Sequence, residues 1–376
     1  MKERTSADVI VIGAGIAGAS VAAELSKDAR VLLLEMESQA GYHTTGRSAA
    51  VYAPIYGPKP IRAFTRASEA FFRNPPDGFT AHELFSPRSI MLMASESQMD
   101  SLAALLKEMR AEGPVERLDA QQTKEVQPLL REGYAAGAML DRNGQDIDVH
   151  ALHQGYLRQA KALGCEMISN AEVSAMQRVA KVWKLSCGDT SYEAPVVVNA
   201  AGAWADKVGQ LAQAESIGLV PKRRTALIVA APEGIDITHL PISIDIDEKF
   251  YLKPDAGRLL ISPANEDPEE PCDVQPDEMD IALCVDRIER AFDLQVRRIE
   301  NRWAGLRSFV NDKCPVAGFS AKAEGFYWLA GQGGYGIQSA PALARFAAAQ
   351  IKRQSIPEDI LSEGLHAAAV APQRLS

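Results

Sequence analysis

The chain has 376 residues, 47% of them hydrophobic, with 40 Lys plus Arg against 49 Asp plus Glu and a formal net charge of −9. That length can bury a large core and predicts two domains or one elaborated α/β domain. The acidic balance, with basic residues scattered, gives no reason to expect a nucleic-acid partner or attraction to anionic lipid. Five cysteines, Cys165, Cys187, Cys272, Cys284 and Cys314, are widely spaced and odd in number, so neither a disulfide framework nor a metal site is expected. No run of about 18 apolar residues predicts a membrane span. Met-Lys-Glu-Arg leads straight into an apolar strand, which predicts no signal peptide and a cytoplasmic location, with peripheral contact at the inner membrane face left open.

The first element is the most informative. Asp8-Val-Ile-Val-Ile-Gly-Ala-Gly-Ile-Ala-Gly18 reads as a strand over 7–12, a glycine turn and a helix over 16–27, followed by a strand over 30–34. Gly13 allows the tight turn, Gly15 lets backbone approach a pyrophosphate, and Gly18 lets the helix pack closely on the sheet. Ile16 and Ala17 open the helix, whose N-terminus faces the phosphates. Glu35 stands at the end of the next strand, where a carboxylate accepts ribose hydroxyls and repels a 2′-phosphate. The expected cofactor is therefore a dinucleotide other than NADP.

Further along, 59–73 and 96–112 carry helical spacing, Ser89 to Met93 reads as a strand, and 149–163 forms an amphipathic helix. Ala194 to Trp204 is a β-branched run ending in small residues, which suits a central parallel strand beside a ligand. Residues 227–230, 242–247, 250–252 and 258–261 predict strands of a second sheet, and Ala264 to Cys272 reads as an exposed acidic loop. Phe326 to Gly336 is a strand running into a glycine loop, followed by a helix over 338–352. The predicted fold is α/β: a Rossmann-type, glutathione-reductase-like nucleotide domain from 1–56, 140–220 and 310–376, with an inserted, mostly antiparallel substrate sheet from 57–139 and 221–309.

NAD and FAD share this fingerprint. FAD is favoured because both chain termini supply glycine-rich strand ends to one long cofactor, and because there is neither a second Gly-x-Gly-x-x-Gly with a downstream acid nor a redox pair of cysteines.

The chain resembles the D-amino acid oxidase superfamily of FAD enzymes, most of all the bacterial FAD-dependent D-arginine dehydrogenase group. Matching segments include Gly41-Tyr-His-Thr-Thr-Gly-Arg-Ser-Ala-Ala50, Val198-Asn-Ala-Ala-Gly-Ala-Trp204, Pro221-Lys-Arg-Arg224, Trp303-Ala-Gly-Leu-Arg-Ser-Phe309 and Gly331-Gln-Gly-Gly-Tyr-Gly-Ile-Gln338. The resemblance implies non-covalent FAD, with Thr44, Thr45, Gly46, Arg47, Ser48 and Ala49 along the flavin. Gly331 to Gln338, among them Gly333, Gly334, Tyr335, Gly336, Ile337 and Gln338, would close over its other end, and Ala201, Gly202 and Trp204 would lie beside it.

It also implies oxidative deamination of a D-amino acid, with hydride leaving Cα for flavin N5 and the imino acid hydrolysing to a 2-oxo acid and ammonia. Arg224 and Arg307 would anchor the substrate carboxylate, as planar guanidinium groups do. Tyr56 and Tyr251 would be neighbouring donors, and the Gly334 carbonyl would accept from the amine. His43, beside the flavin-facing loop, is either a structural histidine or one that tunes the amine. His150 and His153 read as surface or packing residues.

One departure matters. The D-arginine-acting relatives place an acid where Ile90 aligns and a histidine where Val51 aligns, while Ile242 and Ile244 add branched apolar groups. Burying a guanidinium there costs several kcal/mol, whereas burying an aliphatic side chain gains about 1.5–3 kcal/mol. A neutral apolar D-amino acid is therefore expected in preference to D-arginine. Oxidation of N-methyl amino acids or 2-hydroxy acids, and a non-catalytic flavin-binding role, stay open. So does the electron acceptor, quinone-like or oxygen.

Overall fold

The computed structural model describes residues 4–375. Among these residues the first of two principal sheets has six strands, five parallel and one antiparallel, in the spatial order Glu166–Ile168, Val31–Leu34, Val9–Ile12, Val196–Asn199, Phe326–Ala330, Val316–Phe319. Every residue of Val9–Ile12, Val31–Leu34 and Phe326–Ala330 is buried. Continuous burial is why these strands read as unbroken apolar runs rather than alternating ones. The last strand pairs with Val196–Asn199, so the C-terminal part of the chain does return to the nucleotide sheet.

Helix Ile16–Leu25 packs against helices Gly336–Ile351 and Val149–Ala162 on one face of this sheet. Pro341 inside helix Gly336–Ile351 has no N–H to donate and crowds the preceding turn. The neighbouring Ala342 N–H donates instead to Ser68 Oγ at 3.0 Å, on helix Lys59–Arg73. Helix Lys59–Arg73, expected in the substrate half, thus belongs to the core of the nucleotide half through Ala63, Phe64, Ala67 and Phe72.

The second principal sheet has nine strands. Its backbone is the long hairpin-like pair Val220–Ala230 and Ile299–Phe309, antiparallel from Val220 opposite Phe309 to Val229 opposite Ile299. Arg258–Ser262, Tyr251–Asp255 and Ile242–Asp245 follow in antiparallel order, and Ile242–Asp245 then pairs in parallel with Ile90–Ala94. Gly137–Asp141 and Glu116–Asp119 complete the sheet, so the substrate layer reaches a little past residue 139.

Two expectations change. The helix expected over 96–112 is a short 3₁₀ turn, Glu96–Gln98, and then helix Met99–Met109, because Ser95 and Gln98 form a capping box that restarts the chain there. The segment 264–272 is not simply an exposed acidic loop. Asp267–Pro268 pairs with Val220–Ala230, Ala264 is buried, and Asn265 and Glu266 accept hydrogen bonds from Arg224.

Candidate active site

Glycine does structural work at the start of helix Ile16–Leu25. Gly13 has φ +96°, and a Cβ there would sit 2.5 Å from the Ala200 carbonyl oxygen. A Cβ on Gly18 would lie 1.7 Å from the Gly13 carbonyl oxygen, so helix and turn touch backbone to backbone. The helix has no side-chain cap on its first residue; Thr45 Oγ1 reaches across to accept from Ile16 N–H at 3.0 Å. Glu35 is buried and accepts from Ala14 N–H at 2.8 Å and Glu37 N–H at 3.0 Å. Those bonds fix its carboxylate beside the turn.

Three cavities meet end to end from this point. The first, about 1590 Å³, is lined by Gly13, Glu35, His43, Ala201, Gly202 and Trp204. It shares Gly15, Thr44 and Thr45 with a second cavity of about 980 Å³, which runs past Ile16, Ala17, Arg47, Ser48 and Ala49 to Gly333, Gly334, Gly336 and Ile337. The second shares Ser48, Ala49, Arg224, Tyr251, Arg307 and Gly334 with a third of about 690 Å³. That third cavity is walled by Val51, Tyr56, Ile90, Ile242, Ile244, Tyr335 and Gln338.

Of the candidate cofactor and substrate residues named from the sequence, Gly18 and Gly46 alone lie outside these walls. Gly46 is a turn residue whose Cβ would meet the Gly41 carbonyl oxygen at 2.6 Å.

The walls are held from both halves. Thr44 Oγ1 donates to the Leu306 carbonyl at 2.8 Å. Arg47 donates to the Val274 and Ala304 carbonyls and pairs with Asp273, while its own carbonyl accepts from Trp303 Nε1 at 2.9 Å. Gln338 accepts from Ala53 N–H at 2.8 Å. A Cβ on Gly333 would fall 2.1 Å from the Phe309 ring, and one on Gly334 would fall 2.9 Å from the Arg307 guanidinium carbon. The glycine loop therefore lies directly against the second sheet.

Two guanidinium groups face the inner cavity. Arg224 is 7% exposed; its Nε donates to the Asn265 carbonyl at 2.9 Å and one terminal nitrogen meets Glu266 at 3.2 Å. Burial, and then the charge of Arg307, push its pKa below the usual arginine range. Arg307 has no ion pair among the described residues and lies flat against Gly334. Burial opposes the charge on Glu266, but Lys222, Lys313 and Arg224 together hold its carboxyl below the usual range.

The Tyr56 ring meets Tyr335 edge-on at 5.4 Å. Burial, then Glu248, push the Tyr56 phenol well above the usual tyrosine range, and the same causes push Tyr335 up to about 12.

One lining residue, Glu248, was not found from the sequence, because it sits in a turn that reads as solvent-facing. Glu266, which meets Arg224 from a run that reads as a surface loop, was not found either. Gln332 Nε2 is buried without a hydrogen-bond partner while its residue lines the middle cavity. His43 lies away from the inner cavity. Its Nε2 meets Glu37 at 2.9 Å and its ring packs on Trp204 at 4.7 Å, so it borders the Glu35 side and not the substrate amine. His153 is a packing residue, donating to the Ala14 carbonyl at 2.8 Å beneath the glycine turn. No cluster of metal-ligating side chains occurs among the described residues, and no helix of these residues is long and apolar enough to cross a membrane.

A long cleft opening at a glycine-rich βαβ turn and ending under a second sheet is the form of a dinucleotide-dependent oxidoreductase. The orphaned Gln332 amide and the backbone cradle at Gly13 and Gly15, which a side chain would fill, fit such a cofactor. The chain belongs to the FAD dependent oxidoreductase (DAO) family, whose model matches residues 8–350, and FAD is its cofactor.

It is 25% identical over 357 residues to a glycine oxidase of Bacillus licheniformis, covering 92% of each chain. It is 24% identical over 398 residues to the FAD-dependent oxidoreductase domain-containing protein 1 of Mus musculus, covering 91% of this chain and 80% of that one. In fold it resembles the L-alpha-glycerophosphate oxidase of Mycoplasma pneumoniae, solved with FAD bound, at TM-score 0.84 and 16% identity over 92% of this chain and 95% of that one.

Proposed function

We propose that this enzyme oxidatively deaminates a D-amino acid, with bound FAD as the two-electron acceptor and hydrolysis of the imino acid giving a 2-oxo acid and ammonia. The observation that carries this reading is the convergence of Arg224 and Arg307 on the inner cavity, with Arg307 free of any carboxylate partner among the described residues. A guanidinium in that position is suited to an incoming carboxylate.

In this reading Arg224 and Arg307 fix the substrate carboxylate, Tyr251 stands beside it, Tyr56 faces the bound substrate and the Gly334 carbonyl accepts from the amine. Such fixation converts an encounter into an oriented reaction. Ile90, Val51, Ile242 and Ile244 receive the side chain. Their apolar surface favours a neutral aliphatic or aromatic group over the guanidinium of D-arginine, although the chain's motifs resemble the D-arginine dehydrogenase group.

For the cofactor, Gly13, Gly15, Ile16, Ala17 and Glu35 would receive the adenosine and pyrophosphate, with Gly18 packing the turn. Thr44 to Ala49, Ala201, Gly202 and Trp204 would line its length. Gly333 to Gln338 would border its reacting end without a covalent bond. The labour divides as 1–56, 140–220 and 310–376 for FAD and 57–139 and 221–309 for substrate, with helix Lys59–Arg73 transferred to the FAD half. Electrons would leave to a quinone-like acceptor or to oxygen, in the cytoplasm.

The test is anaerobic bleaching of the flavin absorbance by D-leucine, D-phenylalanine, D-arginine, sarcosine and a 2-hydroxy acid. Bleaching first by the neutral D-amino acids is expected. Preference for D-arginine overturns the side-chain assignment, and bleaching by the N-methyl or hydroxy acid alone overturns the deamination reading.

A further inference from the structure

Glu248 places a carboxylate in the inner cavity, whose walls combine the apolar Val51, Ile90, Ile242 and Ile244 with Tyr56, Tyr335 and the two arginines. It arrives there by a strained and braced turn. Strand Ile242–Asp245 ends in a reversal in which Glu248 N–H donates to the Asp245 carbonyl at 2.8 Å, and Glu248 itself has φ 56°. A non-glycine residue in that left-handed region carries a conformational cost that its surroundings must hold in place.

The bracing is visible. Asp245, 3% exposed, accepts from Asp247 N–H at 3.1 Å and Lys249 N–H at 3.2 Å, and Gln98 Nε2 ties Asp245 and Asp247 together at 3.0 and 2.8 Å. Gln98 is in turn fixed by the capping box with Ser95. The turn carrying Ile244 therefore also aims an acid at the same space.

Within the cavity Glu248 acts on Tyr56 and Tyr335, raising both phenols. It has no ion pair among the described residues. The cationic groups that line the same cavity, Arg224 and Arg307, are the ones that the proposed substrate's α-carboxylate would occupy, and Arg224 is already shared with Glu266. What remains near the side chain is the Glu248 carboxylate, which accepts from the Tyr56 phenol, beside the apolar Val51, Ile90, Ile242 and Ile244.

Resting on the D-amino acid reading of this site, we propose that Glu248 is a specificity-determining residue that excludes acidic side chains. It repels D-aspartate, D-glutamate and other dicarboxylates. Discrimination by a built-in repulsive group complements the apolar contacts that attract the preferred substrate.

Two measurements on the holoenzyme test this. The first compares kcat/KM for D-glutamate and D-leucine in the wild type and in Glu248→Gln. The D-glutamate to D-leucine ratio is expected to rise about tenfold or more in the variant, the scale of removing one like-charge contact. The second needs no turnover: succinate and butyrate are titrated against the flavin absorbance, and the ratio of succinate to butyrate affinity is expected to rise by a similar factor. Glu248→Asn, which removes the charge and suits left-handed backbone, repeats both should Glu248→Gln fold poorly.

Unchanged or lower ratios in a folded, flavin-bearing variant overturn the proposal. If no amino acid bleaches the wild type, the deamination reading falls, while the succinate and butyrate titration still decides the role of Glu248.

Discussion

The two sheets that enclose the cleft present different surfaces to it. The parallel sheet presents backbone: Gly13 and Gly18 bring main chain within contact of main chain, and the Glu35 carboxylate is itself held by two N–H groups. The antiparallel sheet works through charged side chains on long strands, with Arg224 on Val220–Ala230 and Arg307 on Ile299–Phe309, opposed by Glu266 and Glu248. A backbone site tolerates almost no added atom. A side-chain site can lose a charge and keep its shape.

The sharpest way to break this contrast is at Gly18. Gly18→Val drives a side chain into the Gly13 carbonyl, and we expect a protein without flavin absorbance and with a melting temperature lower by several degrees, as read by absorbance and calorimetry. Retention of normal FAD affinity would show that the turn can relax after all.

Next comes Arg307→Met, which keeps the stem and removes the charge. Bound FAD should persist while kcat/KM for the best D-amino acid falls on the order of 1000-fold, because a buried carboxylate loses its charge-assisted bonds. Glu266→Gln should act less strongly. It frees one Arg224 nitrogen but leaves Arg224 more weakly held, and a change of about three- to tenfold, chiefly in KM, is expected from steady-state kinetics.

The smallest effect concerns pH. Burial lowers the pKa of His153 below its ordinary 6.5 despite the bond to Ala14. The folded state thus binds this proton less readily than the unfolded chain. Its contribution is present above about 6.5 and is lost as pH falls from there toward the lowered value, by up to about 1.4 kcal/mol per pH unit. His153→Gln should flatten the melting temperature between pH 7 and pH 5, and an unchanged slope would assign the pH dependence to other groups.

The same contrast explains what could be read in advance. The parallel strands are buried on both faces and flanked by glycines with stereochemical duties, so Val9–Ile12, Val196–Asn199 and Phe326–Ala330 announce themselves locally. In the antiparallel layer, Val220–Ala230 opens on Val-Pro and three consecutive cations, Lys222 to Arg224, and only its end at 227–230 reads as strand; Ile299–Phe309 carries Glu300, Asn301 and Arg302 and gives little local signal.

The pairing of those two strands brings Arg224 opposite Gly305 and Lys222 opposite Arg307, a non-local fact. Resemblance to a family supplied Arg224, Arg307, Tyr56 and Tyr251. Neither route supplied Glu248, whose Asp-Glu-Lys setting looks like any solvated turn.

The bridge made by Arg47 has a consequence for biogenesis. Its bonds to Val274 and Ala304, and the one from Trp303, span separations of 227, 257 and 256 residues. During synthesis at about 5–20 residues per second, the loop around Arg47 therefore emerges roughly 11 to 51 seconds before its partners. The N-terminal βαβ unit must wait on the ribosome with that flank unsecured, which makes residues 41–50 a natural place for a chaperone or for early flavin capture to act.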